Sequence, residues 1–283
     1  EHAKGYLVGE AHGGIKAMFT MMNEMRLGTC LQGVGLSEHS YQKSLAYAKE
    51  RLQMRSLSGV KSPDKDADAI IEHPDVRRML LSQKAFADGG RALANYCAHL
   101  LDQLHQNPDD KDTRLLLELL TPIAKGFCTE TGLESASYAI QIYGGHGYIR
   151  ENGVEQLYRD GRIATLYEGT TGIQALDLVG RKIPANLGRS LRQFFHPVDA
   201  FIQENMMNPE LKDYIMPLAK AFAKLQQGTA LLGEKGMKNP DEAGAASTEY
   251  LRMFGLVALG FMWARMAKLS KEKLAAGTED PQF

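Results

Sequence analysis

Residues 141–174, QIYGGHGYIRENGVEQLYRDGRIATLYEGTTGIQ, hold the densest set of groups that could do chemistry. Gly144, Gly145 and Gly147 lack a Cβ, so their backbone amides can come close to a ligand. Taken alone, the same glycines also suit a helix C-cap followed by a turn. Farther along, Tyr167-Glu168-Gly169-Thr170 sets a carboxylate at the head of the next helical pattern, where negative charge suits the helix dipole. Outside this stretch, Arg51 in AKERLQM carries a planar fork that can bond two oxygens of a phosphate. Arg26 in MMNEMRLG is compatible with either a ligand contact or a structural ion pair.

Helices must position these groups. Leu93, Cys97, Leu100, Leu101 and Leu104 recur at i, i+4, i+7, i+8 and i+11, which is one helical face. Leu116, Leu120, Ile123 and Phe127 repeat the pattern in the next helix. The small-residue run SASYAIQIY should end at the glycines that follow it. A helix is expected over 36–54, with Tyr41, Leu45, Ala48 and Leu52 facing inward. Polar breaks at 57–68 (LSGVKSPDKDAD) and 105–113 (HQNPDDKDT) read as exposed loops. Pro184 and Gly188 mark a change near 182–188, after which helices are expected over 191–205, 209–233 and 247 to about 275, with Ser247 as the N-cap of the last. Alternating strand patterns are nearly absent, and the fold class is all-α.

Composition narrows the function classes. The 33 Lys+Arg balance 34 Asp+Glu for a net charge of -1, which does not suggest a nucleic-acid or anionic-membrane protein. Cys30, Cys97 and Cys128 are far apart in sequence and odd in number, so they read as reduced thiols of an intracellular protein. No cysteine pair has zinc-site spacing and the 8 histidines form no HExxH pattern, so no metal site is expected. The uncharged run at 253–264 is too short for a membrane span and reads as a buried helix.

In order and spacing, Gln141-Ile142-Tyr143-Gly144-Gly145-His146-Gly147-Tyr148, Tyr158-Arg159-Asp160 and Tyr167-Glu168-Gly169-Thr170 resemble the acyl-CoA dehydrogenase family. The resemblance covers about 5–182. It implies the C-terminal four-helix bundle of that family over 1–182, followed over 189–283 by an added helical domain like that of larger bacterial members. It also implies that the family's N-terminal helical and middle β domains are missing, so that the chain is a fragment beginning at Glu1 and stopping at Asp280-Pro281-Gln282-Phe283. Such a fragment is expected to be inactive by itself and to retain FAD poorly.

The activity implied is flavin-dependent α,β-dehydrogenation of an acyl-CoA thioester. A thioester acidifies its α-carbon only weakly. The resemblance assigns removal of the α-proton to Glu168 while the β-hydride moves to FAD, and an acyl chain drying the site would raise the carboxyl pKa toward a useful range. The Glu168 N–H would donate to the thioester oxygen as enolate charge develops. Arg26 and Tyr167 are implied at the substrate. Some members place the base where Met25 stands; Glu24 beside it would point about 100° away on a helix, which favours Glu168.

Arg51 matches an arginine reaching the FAD pyrophosphate of a neighbouring subunit. Gln141, Gly144 and Gly145 match the loop at the adenosine part, and Thr170 matches a contact to the FAD of its own site. Three positions depart from the family pattern. Met54-Arg55 stand where Phe-Gly is usual, Gly172 where many members have Gln, and His73-Pro74 in place of His-Gln. His146 reads as a loop residue. A homodimer or homotetramer, an electron-transfer flavoprotein as acceptor and a bacterial-type cytoplasmic setting are the expected context. An acyl-CoA oxidase with the same base, or a DNA-binding flavoprotein relative with the same fold, are the alternatives. Residues 189–283 carry no second active-site motif and read as an assembly element.

Overall fold

A computed structural model describes residues 2–278; Glu1 and residues 279–283, which include the Asp280-Pro281-Gln282-Phe283 end, lie outside the described residues. The chain is built from eight α-helices among the described residues: α1 Gly14–Glu50, α2 Pro74–Gln106, α3 Lys111–Tyr143, α4 Val154–Ala164, α5 Thr171–Asp177, α6 Ala185–Asn205, α7 Lys212–Lys238 and α8 Pro240–Ala275. Their pairing is limited to one isolated antiparallel bridge between Leu52 and Ala69, so the architecture is all-α.

Helix α3 is the axis. It packs against α1, α2, α4 and α5, and against α6 and α8. The expected inward face of α2 is buried at Leu93, Cys97, Leu100 and Leu104, and that of α3 at Leu116, Leu120, Ile123 and Phe127. Helices α1 and α3 approach closely at Gly33 and Gly132. A Cβ on Gly33 would lie 2.2 Å from the Cys128 carbonyl oxygen, and one on Gly132 would lie 2.7 Å from that of Gly33. Only glycine permits that spacing, which brings Arg26 on α1 and Lys125 on α3 toward the same turn. Cys30, Cys97 and Cys128, distant in sequence, are free thiols buried in this core. Hydrogen bonding to Cys128, followed by burial, pushes the Cys30 thiol up, and burial pushes Cys97 up to about 12.

One apolar cluster continues from Leu120 and Phe127 through Leu178 to Phe194, Leu225 and Phe254. Helices α6–α8 therefore share a core with the bundle. The Trp263 indole N–H also donates to Ala85 O at 3.1 Å, tying α8 to α2. The change expected near 182–188 is a π-helical turn, Leu178–Lys182, followed by three left-handed residues, Asn186, Leu187 and Gly188.

Several boundaries differ from expectation. Helix α1 begins at Gly14, well before 36, and ends at Glu50, so Leu52 lies beyond it and is 37% exposed. The chain leaves the helix there because the Arg51 and Gln53 main chain pairs with Ile70 and Asp68. Ser247 is not an N-cap: it lies inside α8 and bonds the Gly244 carbonyl. The cap is Asn239, whose side chain accepts from Asp241 N with Pro240 at the first helical position, an arrangement that needs no intrahelical N–H from proline. Helix α7 starts at Lys212 because Asn208–Leu211 form a turn first.

The loop at 57–68 is organised by one carboxylate. Asp68 accepts from the backbone N–H groups of Ser56, Lys61 and Ser62 at 2.8–2.9 Å and from Arg55 at 3.4 Å. Those backbone bonds, with Arg55, hold its pKa at about 2 despite burial. Arg55, a departure from the family pattern, is thus a loop-building residue.

Candidate functional site

The candidate residues gather at two places. The first is the turn between α4 and α5. Glu168 has φ 55, a left-handed conformation that costs a non-glycine residue roughly 1–2 kcal/mol, and Gly169 follows at φ 91. Two consecutive carbonyls of this turn are held by side chains from three helices. Arg26 Nε on α1 donates to Glu168 O at 3.3 Å, and Gln174 Nε2 on α5 donates to the same oxygen at 3.2 Å. Lys125 Nζ on α3 donates to Gly169 O at 2.7 Å. A Cβ on Gly169 would meet Gln174 Nε2 at 2.5 Å, so the clamp closes only around glycine.

The Glu168 main chain is thereby fixed while its functional groups stay free. The half-buried carboxylate forms no hydrogen bond or ion pair among the described residues, and the Glu168 N–H has no acceptor there. Arg26 is 5% exposed and forms the ion pair that its residue type allowed, with Asp177 at 3.8 Å, while also bonding Glu168. Tyr167 donates its hydroxyl to Gln32 on α1. Thr170 caps α5, its hydroxyl oxygen accepting from Ile173 N at 3.2 Å, which leaves the hydroxyl proton available to another acceptor. Beside Arg26 a cavity of about 470 Å³ opens between α1, α2 and α3, lined by Leu27, Leu104, Leu117 and Asp177 among others.

The second place is a cleft of about 520 Å³ where Arg51, Gln141, Gly144 and Gly145 come together, with Tyr47, His73 and His146. Gly144 ends α3 at φ 60, ψ −138, a conformation open to glycine. Neither Gly144 nor Gly145 has any heavy atom within 4 Å of where a Cβ would stand. Beneath them Tyr47 and Tyr143 stack with ring centroids 4.0 Å apart, and the Tyr47 hydroxyl meets His146 Nδ1 at 2.9 Å. His73 Nε2 bonds Gln53 O at 2.8 Å. This chemistry fits the adenosine-pyrophosphate end of FAD: an exposed guanidinium for phosphate, open glycine backbone for close approach, and an amide side chain on the same wall. Thr170 is not part of this cleft; it stands at the Glu168 turn.

Sequence reasoning overlooked Lys125, Gln174, Tyr47 and the place of His146. Lys125 had a legible signal: it is the lone cation in the apolar run TPIAKGFC. Gln174 closed the quoted motif but had no visible partner, because its targets are backbone carbonyls.

The model of the acyl-CoA dehydrogenase C-terminal domain matches residues 12–183, and that of an acetyl-CoA dehydrogenase C-terminal-like domain matches 194–283. A 3-methylmercaptopropionyl-CoA dehydrogenase of Ruegeria pomeroyi is 41% identical over 280 residues, covering 98% of this chain and 47% of the relative. A broad-specificity linear acyl-CoA dehydrogenase of Mycobacterium tuberculosis is 32% identical over 285 residues, covering 97% and 47%. The chain thus spans about half the length of these relatives. Among solved structures, Caenorhabditis elegans ACDH-11 in complex with C11-CoA has a TM-score of 0.74 at 18% identity, covering 91% of this chain and 42% of that one. An acyl-CoA dehydrogenase complexed with FAD from Bacillus anthracis has a TM-score of 0.70 at 19% identity, covering 96% and 46%. Over most of its length the chain shares their helical fold, and on family match and identity together it belongs to the acyl-CoA dehydrogenases.

Proposed function

We propose that the protein carrying this chain dehydrogenates an acyl-CoA thioester between its α and β carbons, with Glu168 as the general base. The observation that carries this reading is the contrast at Glu168 between a clamped main chain and an unengaged carboxylate. A structural carboxylate in a half-buried turn is expected to be bonded; one left free by three surrounding donors is available to an external proton.

Glu168 takes the α-proton. Its N–H, which has no internal acceptor, donates to the thioester oxygen and stabilises the enolate charge at no reorganisation cost, because Arg26, Gln174 and Lys125 have already fixed the turn. Bound FAD supplies the acceptor for the β-hydride. Arg51 would hold its pyrophosphate, and Gln141, Gly144 and Gly145 would admit its adenosine end. Thr170 offers its hydroxyl proton at the Glu168 turn. The family resemblance puts Arg51 at the cofactor of a neighbouring subunit, and on that basis the smallest working unit that we propose is a homodimer. Arg26 from α1 and Tyr167 in the turn flank the substrate. An electron-transfer flavoprotein is the acceptor that we propose for the reduced flavin. Reoxidation by such a carrier, with no oxygen consumption, separates this from an oxidase.

The test is Glu168→Gln in the complete enzyme. FAD should stay bound while flavin bleaching by acyl-CoA falls by roughly 10²–10⁴-fold, the usual worth of a positioned base. Unchanged bleaching would remove Glu168 from its role.

A further inference from the structure

The cleft that holds Arg51 also holds two histidines, and their neighbours leave them presenting opposite groups. His73 Nε2 faces the Gln53 carbonyl at 2.8 Å. A carbonyl only accepts, so Nε2 carries the proton and Nδ1 is left as an acceptor. His146 is set the other way round. Its Nδ1 lies 2.9 Å from the Tyr47 hydroxyl, and its Nε2 has no partner among the described residues. A phenol is a good donor and the bare nitrogen of a neutral imidazole a good acceptor, so Tyr47 donates to Nδ1 and the ring proton rests on Nε2. The Nε2–H is then free to donate into the cleft. Loop and ring are both held. Gly147 is buried, and a Cβ there would lie 2.6 Å from the Ile140 carbonyl oxygen, so the loop runs close over the end of α3. Asn152 Nδ2 and the Ile149 N–H donate to the His146 carbonyl at 2.6 and 3.2 Å. Tyr47 is itself stacked on Tyr143, and its carbonyl accepts from the Arg51 N–H one turn along α1.

We propose that His146 is a cofactor-binding residue: its Nε2–H, oriented through Tyr47, donates to a phosphate oxygen of the FAD pyrophosphate beside Arg51. The proposal rests on the assignment of this cleft to FAD. A neutral N–H donor gains most from a charged acceptor, and the Arg51 guanidinium draws charged acceptors to this wall. Tyr47 is a positioning residue, acting on the cofactor only through the ring that it orients.

The experiment measures FAD binding to the complete enzyme stripped of its flavin, by quenching of flavin fluorescence, in His146→Ala, His146→Gln, His146→Asn, Tyr47→Phe and Arg51→Ala. The amide nitrogen of Gln can stand where Nε2 stands, whereas that of Asn falls at the place of Nδ1. His146→Ala and His146→Asn should weaken FAD roughly 10- to 100-fold, the worth of one hydrogen bond to a charged group, while His146→Gln stays within a few-fold. Tyr47→Phe should cost less than His146→Ala, and adding it to His146→Ala should cost nothing more. ADP and adenosine, as competitors for FAD, identify the acceptor: His146→Ala should weaken ADP and leave adenosine unchanged. Normal FAD affinity in His146→Ala overturns the proposal. So do equal affinities in the Gln and Asn variants, which a merely loop-closing histidine predicts. An equal loss for adenosine overturns the phosphate contact, and a further loss in the double variant overturns the route through Tyr47. Should His146→Ala fail to fold, the contrast between Gln and Asn still decides. The Arg51→Ala arm separates the two claims. If that variant binds FAD normally, the assignment of the cleft fails. If it loses FAD while His146→Ala does not, the role of His146 alone fails.

Discussion

Two glycine turns of this molecule are built on opposite plans. At Glu168–Gly169 the backbone is strained and enclosed: a positive φ on a glutamate, carbonyls held from α1, α3 and α5, and no room for a Cβ. At Gly144–Gly145 the backbone is exposed, and nothing occupies the space where side chains would project. The enclosed turn fixes the main chain from which the Glu168 side chain projects. The open turn leaves peptide groups unobstructed, which suits a large ligand arriving from outside. Glycine thus serves two ends, and its surroundings, not its identity, tell them apart.

The largest effect should come from Gly169→Ala. Forcing φ 91 on alanine costs roughly 1–2 kcal/mol, and displacing Gln174 from 2.5 Å adds roughly 1–3 kcal/mol of overpacking. Thermal unfolding of the chain should show a summed loss in that range, with acyl-CoA-dependent bleaching abolished in the complete enzyme. A stable, active variant would show that the turn is not held as described.

The open turn should answer differently. Arg51→Ala should weaken FAD retention by roughly 1.5–3 kcal/mol per lost phosphate bond while sparing the rate in enzyme resupplied with FAD. Gly145→Ala should leave the melting midpoint nearly unchanged, since it meets nothing within 4 Å, yet lower FAD retention by crowding the approach. Gel filtration of the loaded enzyme, with the flavin absorbance measured per chain, checks both. Normal retention in both would detach the cleft from the cofactor.

The smallest effect is a pH dependence beside that cleft. Asp68 is held at about 2, so its contribution to the loop carrying Gln53 and Met54 is complete above the ordinary carboxylate range near 4. It is lost only as pH falls toward 2. An NMR titration of the Asp68 carboxyl should give a midpoint near 2, with the Ser56, Lys61 and Ser62 amide shifts following it. A midpoint near 4 would mean that those backbone bonds are not formed in solution.

Helical class, the buried faces of α2 and α3, the stop at Gly144 and the opening of a further helix after the Tyr167-Glu168-Gly169-Thr170 phrase were all legible in the sequence. Each depends on local pattern: period 3.6 apolar spacing, a residue able to take positive φ, a carboxylate near a helix start. The motif residues were legible for the same reason, since Glu168 and Gly144 stand in short, contiguous phrases. The length of α1 was not, because its first turns lack a clean apolar face and expose Ile15, Met18 and Phe19. Nor could spacing reveal that Cys30, Cys97 and Cys128 share one core, that α6–α8 continue the bundle's core, or that Arg51 and Gln141 face one cleft 90 residues apart in sequence. Least visible was the support of the Glu168 turn. Lys125, Arg26 and Gln174 act on carbonyl oxygens, which every residue possesses, so no residue type records the partner. Only the close crossing of α1 and α3 and the packing of α5 bring those three donors to one turn.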